Sequence, residues 1–200
     1  DRDGWLEFRR VLFRSGPQID NYFGGGANGH IDEFCRFVND SSVLLGEISE
    51  EEALTNPLSK LDRQALEENY QYILNQKQPN GKPWNIRRIP MPHLDLLSRE
   101  VILTEQTDWA ETFFEKGFSV GDTLKQYPSS SYLNFLITNG AVLAAEYWQP
   151  GLPEEIKETD QRAADILREL FPDKRIIQMD VITLNWHGGG IHCITQQQPK

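Results

Sequence analysis

The sequence predicts an α/β fold assembled from repeated strand-strand-helix-strand units, and three observations lead there. Two stretches about one hundred residues apart follow the same plan. Each opens with two β-prone apolar runs around a cluster of turn residues, and each continues into an apolar stripe at helical spacing.

In the first stretch, Glu33 to Val38 and Val43 to Glu47 are the β-prone runs, separated by Asn39, Asp40, Ser41 and Ser42. Ser59 with Asp62 three residues later reads as a capping box, and Leu66, Tyr70 and Ile73 then fall on one helical stripe. Trp84 to Ile89 is the expected closing strand. In the second stretch, Tyr132 to Thr138 and Ala141 to Glu146 flank Asn139-Gly140, a pair suited to the positive φ of a tight hairpin. Pro153, Glu154 and Glu155 fit a helix first turn, Ala163, Leu167 and Leu170 continue its apolar face, and Phe171-Pro172 ends it. Arg175 to Met179 is the second closing strand. Between the copies, Pro90 to Ser131 has few periodic cues and reads as a long excursion over the surface or mouth. Such a unit cannot bury its apolar faces alone, so the units must pack together, in a ring or in a layered sheet. Periodicity does not choose between the two.

Bulk properties narrow the function classes. The 200 residues carry 38% hydrophobic and 25% charged side chains, an ordinary globular composition. A formal net charge of -10 disfavours nucleic acid and mildly favours a cationic ligand. The two cysteines, Cys35 and Cys193, form neither a disulfide framework nor a Cys-x-x-Cys knuckle, which fits a reducing compartment. No apolar run approaches the roughly 18 residues of a membrane span, and no signal-peptide pattern opens the chain, so a cytoplasmic protein without membrane contact is expected. Residues Glu7 to Ser15 resemble the in-frame translation of a sequencing-library adapter. Residues 1–15 are therefore read as non-native, with 16–200 as part of a single domain whose upstream half is expected to be missing.

Two segments carry chemistry. In an extended strand, His30 and Asp32 of Gly29-His30-Ile31-Asp32 would share a face, placing an acid-base group beside a carboxylate. Gly188-Gly189-Gly190 permits positive φ and close approach of a ligand, and it feeds a stretch predicted as a strand that presents Cys193 beside a glycine-lined pocket. A thiolate there, with His30 nearby, suits attack on a planar cation. His192 is expected on the opposite strand face as a packed structural histidine. His187 and His93 are expected in loops, Cys35 in the core, and Asn134 shaping backbone rather than touching substrate.

The run from Gly188 through Ile191-His192-Cys193-Ile194-Thr195-Gln196-Gln197-Gln198-Pro199 closely resembles the nucleophile motif of the agmatine deiminase family. The segment starting at Gly29 resembles that family's histidine motif, and Ser131-Tyr132-Leu133-Asn134-Phe135 its intervening strand, in the same order. Bacterial-type peptidylarginine deiminases are close relatives. The resemblance, over about Gly16 to Lys200, implies part of a pentein fold, an α/β-propeller of ββαβ-like units. It implies Cys193 as nucleophile, His30 as acid and base, and Asp32 as a grip on the guanidinium of agmatine, with Gly189 and Gly190 against the substrate. The products would be N-carbamoylputrescine and ammonia, a step toward putrescine, with no metal or organic cofactor. The family's upstream aspartate and glutamate have no counterpart motif here, so the chain by itself is expected to be inactive.

Rival readings are a zinc site from His30, Asp32, His187 and Cys193, a thiol protease with a Cys193-His30 dyad, and a non-catalytic interaction module. Agmatine versus peptidyl arginine stays open, as does assembly into a homo-oligomer.

Overall fold

The computed structural model of the protein describes residues 22–24, 30–107, 110–196 and 198. Residues 1–15 and Gly29 lie outside them. The elements are β1 (Tyr22–Gly24), β2 (Cys35–Asn39), β3 (Ser42–Glu47), α1 (Glu50–Thr55), α2 (Pro57–Leu74), β4 (Asn85–Pro90), α3 (Leu94–Leu97) and β5 (Arg99–Ile102). They continue with α4 (Ala110–Glu115), β6 (Thr123–Tyr127), β7 (Leu136–Ile137), β8 (Ala141–Glu146), α5 (Glu154–Leu170), β9 (Arg175–Asp180) and α6 (Ile182–Trp186). Among the described residues, no helix is long and apolar enough to cross a membrane.

Both predicted repeats form. β2 pairs antiparallel with β3, α2 crosses over, and β4 returns parallel to β3 with Leu44 opposite Arg87. In the second copy β7 pairs antiparallel with β8, α5 crosses over, and β9 lies parallel to β8 with Ala144 opposite Gln178. The central strands β3 and β8 have little exposed side-chain surface, as expected for strands covered on both faces. One apolar cluster joins the units through Leu44, Leu45, Leu66, Phe135, Val142 and Leu167, each at most 1% exposed. Packing between the copies thus supplies the burial that neither could achieve alone.

The structure corrects three expectations. Ser59 is not the cap of α2. Asn56 caps it, its Oδ1 accepting from the backbone nitrogens of Leu58 at 2.9 Å and Ser59 at 3.0 Å, and Pro57 takes the first turn. Ser59 instead donates to buried Glu52 at 2.7 Å. Residues 90–131 are not a bare excursion: they hold α3, β5, α4 and β6. β6 pairs antiparallel with β5 and parallel with β1, over a separate small core of Phe23, Leu103, Ala110, Phe113 and Leu124. Strands of four and five residues, one paired with a segment a hundred positions away, leave little periodic signal. Finally, only Leu136–Ile137 of the predicted strand at 132–138 enters a ladder. Ser131 to Phe135 is buried but irregular, and this frees its side chains from strict alternation.

Candidate active site

Three segments meet here. The first is a single 3₁₀ turn, Ile31–Glu33, closed by backbone bonds from Glu33 to His30 and from Phe34 to Ile31, each 3.1 Å. The expected strand is absent. In a strand Asp32 and Glu33 would face opposite ways, whereas the turn sends both carboxylates toward the same sulfur. Asp32 Oδ2 and Glu33 Oε1 each lie 3.6 Å from Cys193 Sγ.

The second segment begins at Gly188, whose φ of +88° only glycine adopts readily. Residues Ile191 to Ile194 then form a turn, not the predicted strand. A Cβ at Gly190 would stand 2.6 Å from Asn134 Oδ1, and one at Gly189 would stand 3.0 Å from Cys193 Cβ. Gly189 and Gly190 thus leave room for Asn134 and the nucleophile.

Asn134 belongs to the third segment and is the hub. Its amide nitrogen lies 3.1 Å from Asp32 Oδ2, 2.9 Å from Glu33 Oε1 and 3.1 Å from Cys193 Sγ. Its Oδ1 accepts from the backbone nitrogens of His192 at 2.8 Å and Cys193 at 3.3 Å. Asn134 thus shapes backbone at His192 and Cys193, as expected, and in addition reaches the Cys193 sulfur. The segment is pinned on both sides. Arg36 Nη1 donates to the carbonyls of Leu133 and Phe135 at 3.1 and 3.0 Å and stacks 4.6 Å from the Phe135 ring centroid. Ser131 Oγ donates to the Glu33 carbonyl at 2.5 Å. Behind it, buried Asp160 accepts from Tyr132 Oη at 2.6 Å and from the backbone nitrogens of Tyr147 and Trp148.

His30, Asp32 and Cys193 are brought together, with their donor atoms within 4.8 Å of one another. His30 is exposed and sits at the start of the turn. His192 is not packed away: its Nδ1 lies 2.6 Å from Asp32 Oδ2, because the turn at 191–194 replaces the strand that would have pointed it elsewhere. His187 turns to the Thr183 carbonyl at 2.7 Å, so the four-residue zinc set does not assemble. His93 is the residue before α3, and Cys35 is in the core as expected. Glu33, Arg36 and the Asn134 hub were missed by sequence reasoning. The adjacent acids of His-Ile-Asp-Glu were the available signal for Glu33, overridden by the strand assignment.

Burial pushes the Cys193 thiol above its ordinary pKa, and the charges of Asp32 and Glu33 add to this, while hydrogen bonds from the Gly190 backbone and Asn134 oppose it. Burial drives Cys35 up to about 12. Burial also lowers the Arg36 pKa, against the pull of Asp32, Cys193 and Cys35.

The chain is similar to known proteins. Agmatine deiminase of Pseudomonas fluorescens is 29% identical over 180 residues, covering 90% of this chain and 43% of that one. That of Pseudomonas syringae pv. tomato is 29% identical over 181 residues with the same coverage. The solved agmatine deiminase of Enterococcus faecalis superposes with a TM-score of 0.59 at 25% identity, over 88% of this chain and 43% of that one. The chain thus spans under half the length of these relatives, and it shares their pentein fold. The Porphyromonas-type peptidyl-arginine deiminase family model matches residues 5–199, and the chain belongs to that family.

Proposed function

We propose that the protein carrying this chain hydrolyses the guanidinium of agmatine to N-carbamoylputrescine and ammonia, with Cys193 as nucleophile, His30 as acid and base, and Asp32 as a substrate grip. The observation that carries this reading is the convergence of two carboxylates and an amide on one thiol, with a histidine within 4.8 Å. A guanidinium offers parallel N–H donors to a carboxylate, and gripping by Asp32 would hold its plane with the central carbon toward Cys193 Sγ. Burial raises the Cys193 thiol pKa, and the charges of the Asp32 and Glu33 carboxylates add to it. A bound cation offsets their charge, so the nucleophile is released when substrate arrives. Attack gives a tetrahedral adduct. His30 protonates the departing ammonia, leaving a covalent thiouronium, and then takes a proton from the water that hydrolyses it. The names of the relatives support agmatine; the family description supports peptidyl arginine as the second reading.

The test is ammonia release from agmatine and from a blocked arginine peptide, using the full open reading frame that contains this chain. Release from agmatine that disappears in Cys193→Ala is the expected result. Release only from the peptide favours the second reading, and no release from either by the folded protein overturns the deiminase assignment.

A further inference from the structure

The mechanism above leaves one proton unassigned, and Glu33 is a buried carboxylate that it does not use. His30 must be protonated when ammonia departs, so it is poorly placed to have accepted a thiol proton unless that same proton is passed on. Glu33 is 5% exposed, and its Oε1 lies 3.6 Å from Cys193 Sγ. It is held from two sides, its carbonyl by Ser131 Oγ at 2.5 Å and its carboxylate by the Asn134 amide at 2.9 Å. Asp32 Oδ2 is equally close to the sulfur but differently employed. It faces His192 Nδ1 at 2.6 Å and Asn134 at 3.1 Å, and in the proposed function it grips the substrate. Protonating Asp32 would give up its pairing with the guanidinium. Protonating Glu33 removes a buried negative charge and leaves the grip intact.

Resting on the deiminase reading, we propose that Glu33 is the base that takes the Cys193 proton as sulfur attacks, leaving His30 to serve the nitrogen and water side. The S–H bond breaks, its proton bonds to Glu33 Oε1, and the sulfur electron pair forms the C–S bond while a C–N π pair moves onto nitrogen. When the hydrolytic tetrahedral adduct collapses, its hydroxyl proton passes to water or to the released ammonia, the O–H pair forms the carbonyl, the C–S pair returns to sulfur and Glu33 gives the proton back. Glu33 therefore ends each turnover as it began, and no outside reactant is consumed. The arrangement separates two proton circuits, which a lone histidine would otherwise have to run in sequence.

The test uses the full open reading frame and a haloacetamidine, a cationic amidine that alkylates cysteine, so that its outcome does not depend on which guanidine is the natural substrate. Glu33→Gln keeps an acceptor for Asn134 but cannot act as the base, and the expected result is alkylation of Cys193 slowed by about 100-fold, the scale of general-base catalysis. Glu33→Asp, which keeps a carboxylate, should recover most of that rate. If Glu33 were only a repulsive or packing neighbour, Glu33→Gln would alkylate as fast as the wild type or faster, or both variants would slow alike; either result overturns the proposal. On the wild type, a normal solvent deuterium isotope effect on alkylation by the cation is expected, and its absence overturns the proposal whether or not the variants fold. Failure of the deiminase reading would appear separately, as a wild-type protein that alkylates but releases no ammonia.

Discussion

The amide nitrogen of Asn134 lies 3.1 Å from the sulfur of Cys193 and is also within hydrogen-bond reach of both acidic neighbours of that sulfur. One side chain thus joins residues 102 positions apart, Asp32 and itself, to a nucleophile 59 positions further on. It sets an amide donor among two carboxylates and a thiol.

Asn134→Ala should consequently disorganise the site more than its size suggests. Losing donors to charged acceptors costs about 2 kcal/mol of organisation, which corresponds to roughly a 30-fold fall in turnover. Ammonia release measured against a thermal melt checks this, and a variant that loses stability but not rate contradicts it.

Gly190→Ala tests the same hub from its other side. The new Cβ would stand 2.6 Å from Asn134 Oδ1, too close to be accommodated without moving the amide. Backbone φ is not strained there, so the fold should survive while turnover falls by about tenfold, a displacement effect of the kind positioning residues show. Unchanged turnover would mean that Asn134 can shift harmlessly.

The pH dependence of thiol reactivity follows from the raised Cys193 pKa. A raised thiol pKa means that the thiolate fraction is small at neutral pH and grows only above the range of an ordinary cysteine. Alkylation of the ligand-free protein by neutral iodoacetamide should therefore reach half its maximum at higher pH than a free cysteine does. Replacing Asp32 by Asn should move that midpoint down by removing a repulsive charge. An unshifted midpoint would argue that the carboxylates do not act on the sulfur.

Asp160 links the fold to the site and carries a pKa raised by burial, against opposing hydrogen bonds from Tyr132, Trp148 and Tyr147. A folded-state pKa above the unfolded one means the native state binds more protons, so this group's contribution weakens as pH rises from the ordinary aspartate range through the folded value. Asp160→Asn should flatten that part of the stability-pH curve. Asp160→Ala should cost about 3 kcal/mol, because it leaves three buried donors without their acceptor. Urea unfolding of both variants across acid to neutral pH is the measurement, and equal losses would contradict the assignment.

The sequence by itself determined the two ββαβ repeats, because each combines a hairpin signal with a helix whose apolar stripe survives averaging over several turns. Leu66 and Ile73 on α2, and Ala163 and Leu167 on α5, are buried where that period places them. It also singled out His30, Asp32 and Cys193, since glycine-flanked histidine and cysteine motifs are local and distinctive. The tertiary structure alone decided how those residues meet. A period of two assigns faces only inside a strand, and His30 to Glu33, Ser131 to Phe135 and Ile191 to Cys193 all lie outside the ladders. Their side-chain directions come from contacts such as Arg36 on the Leu133 and Phe135 carbonyls and Ser131 on Glu33, each spanning close to one hundred residues. No local pattern encodes such contacts. The same holds for β1 and β6, whose parallel pairing depends on a crossover of about that length and on burying Phe23 against Phe113.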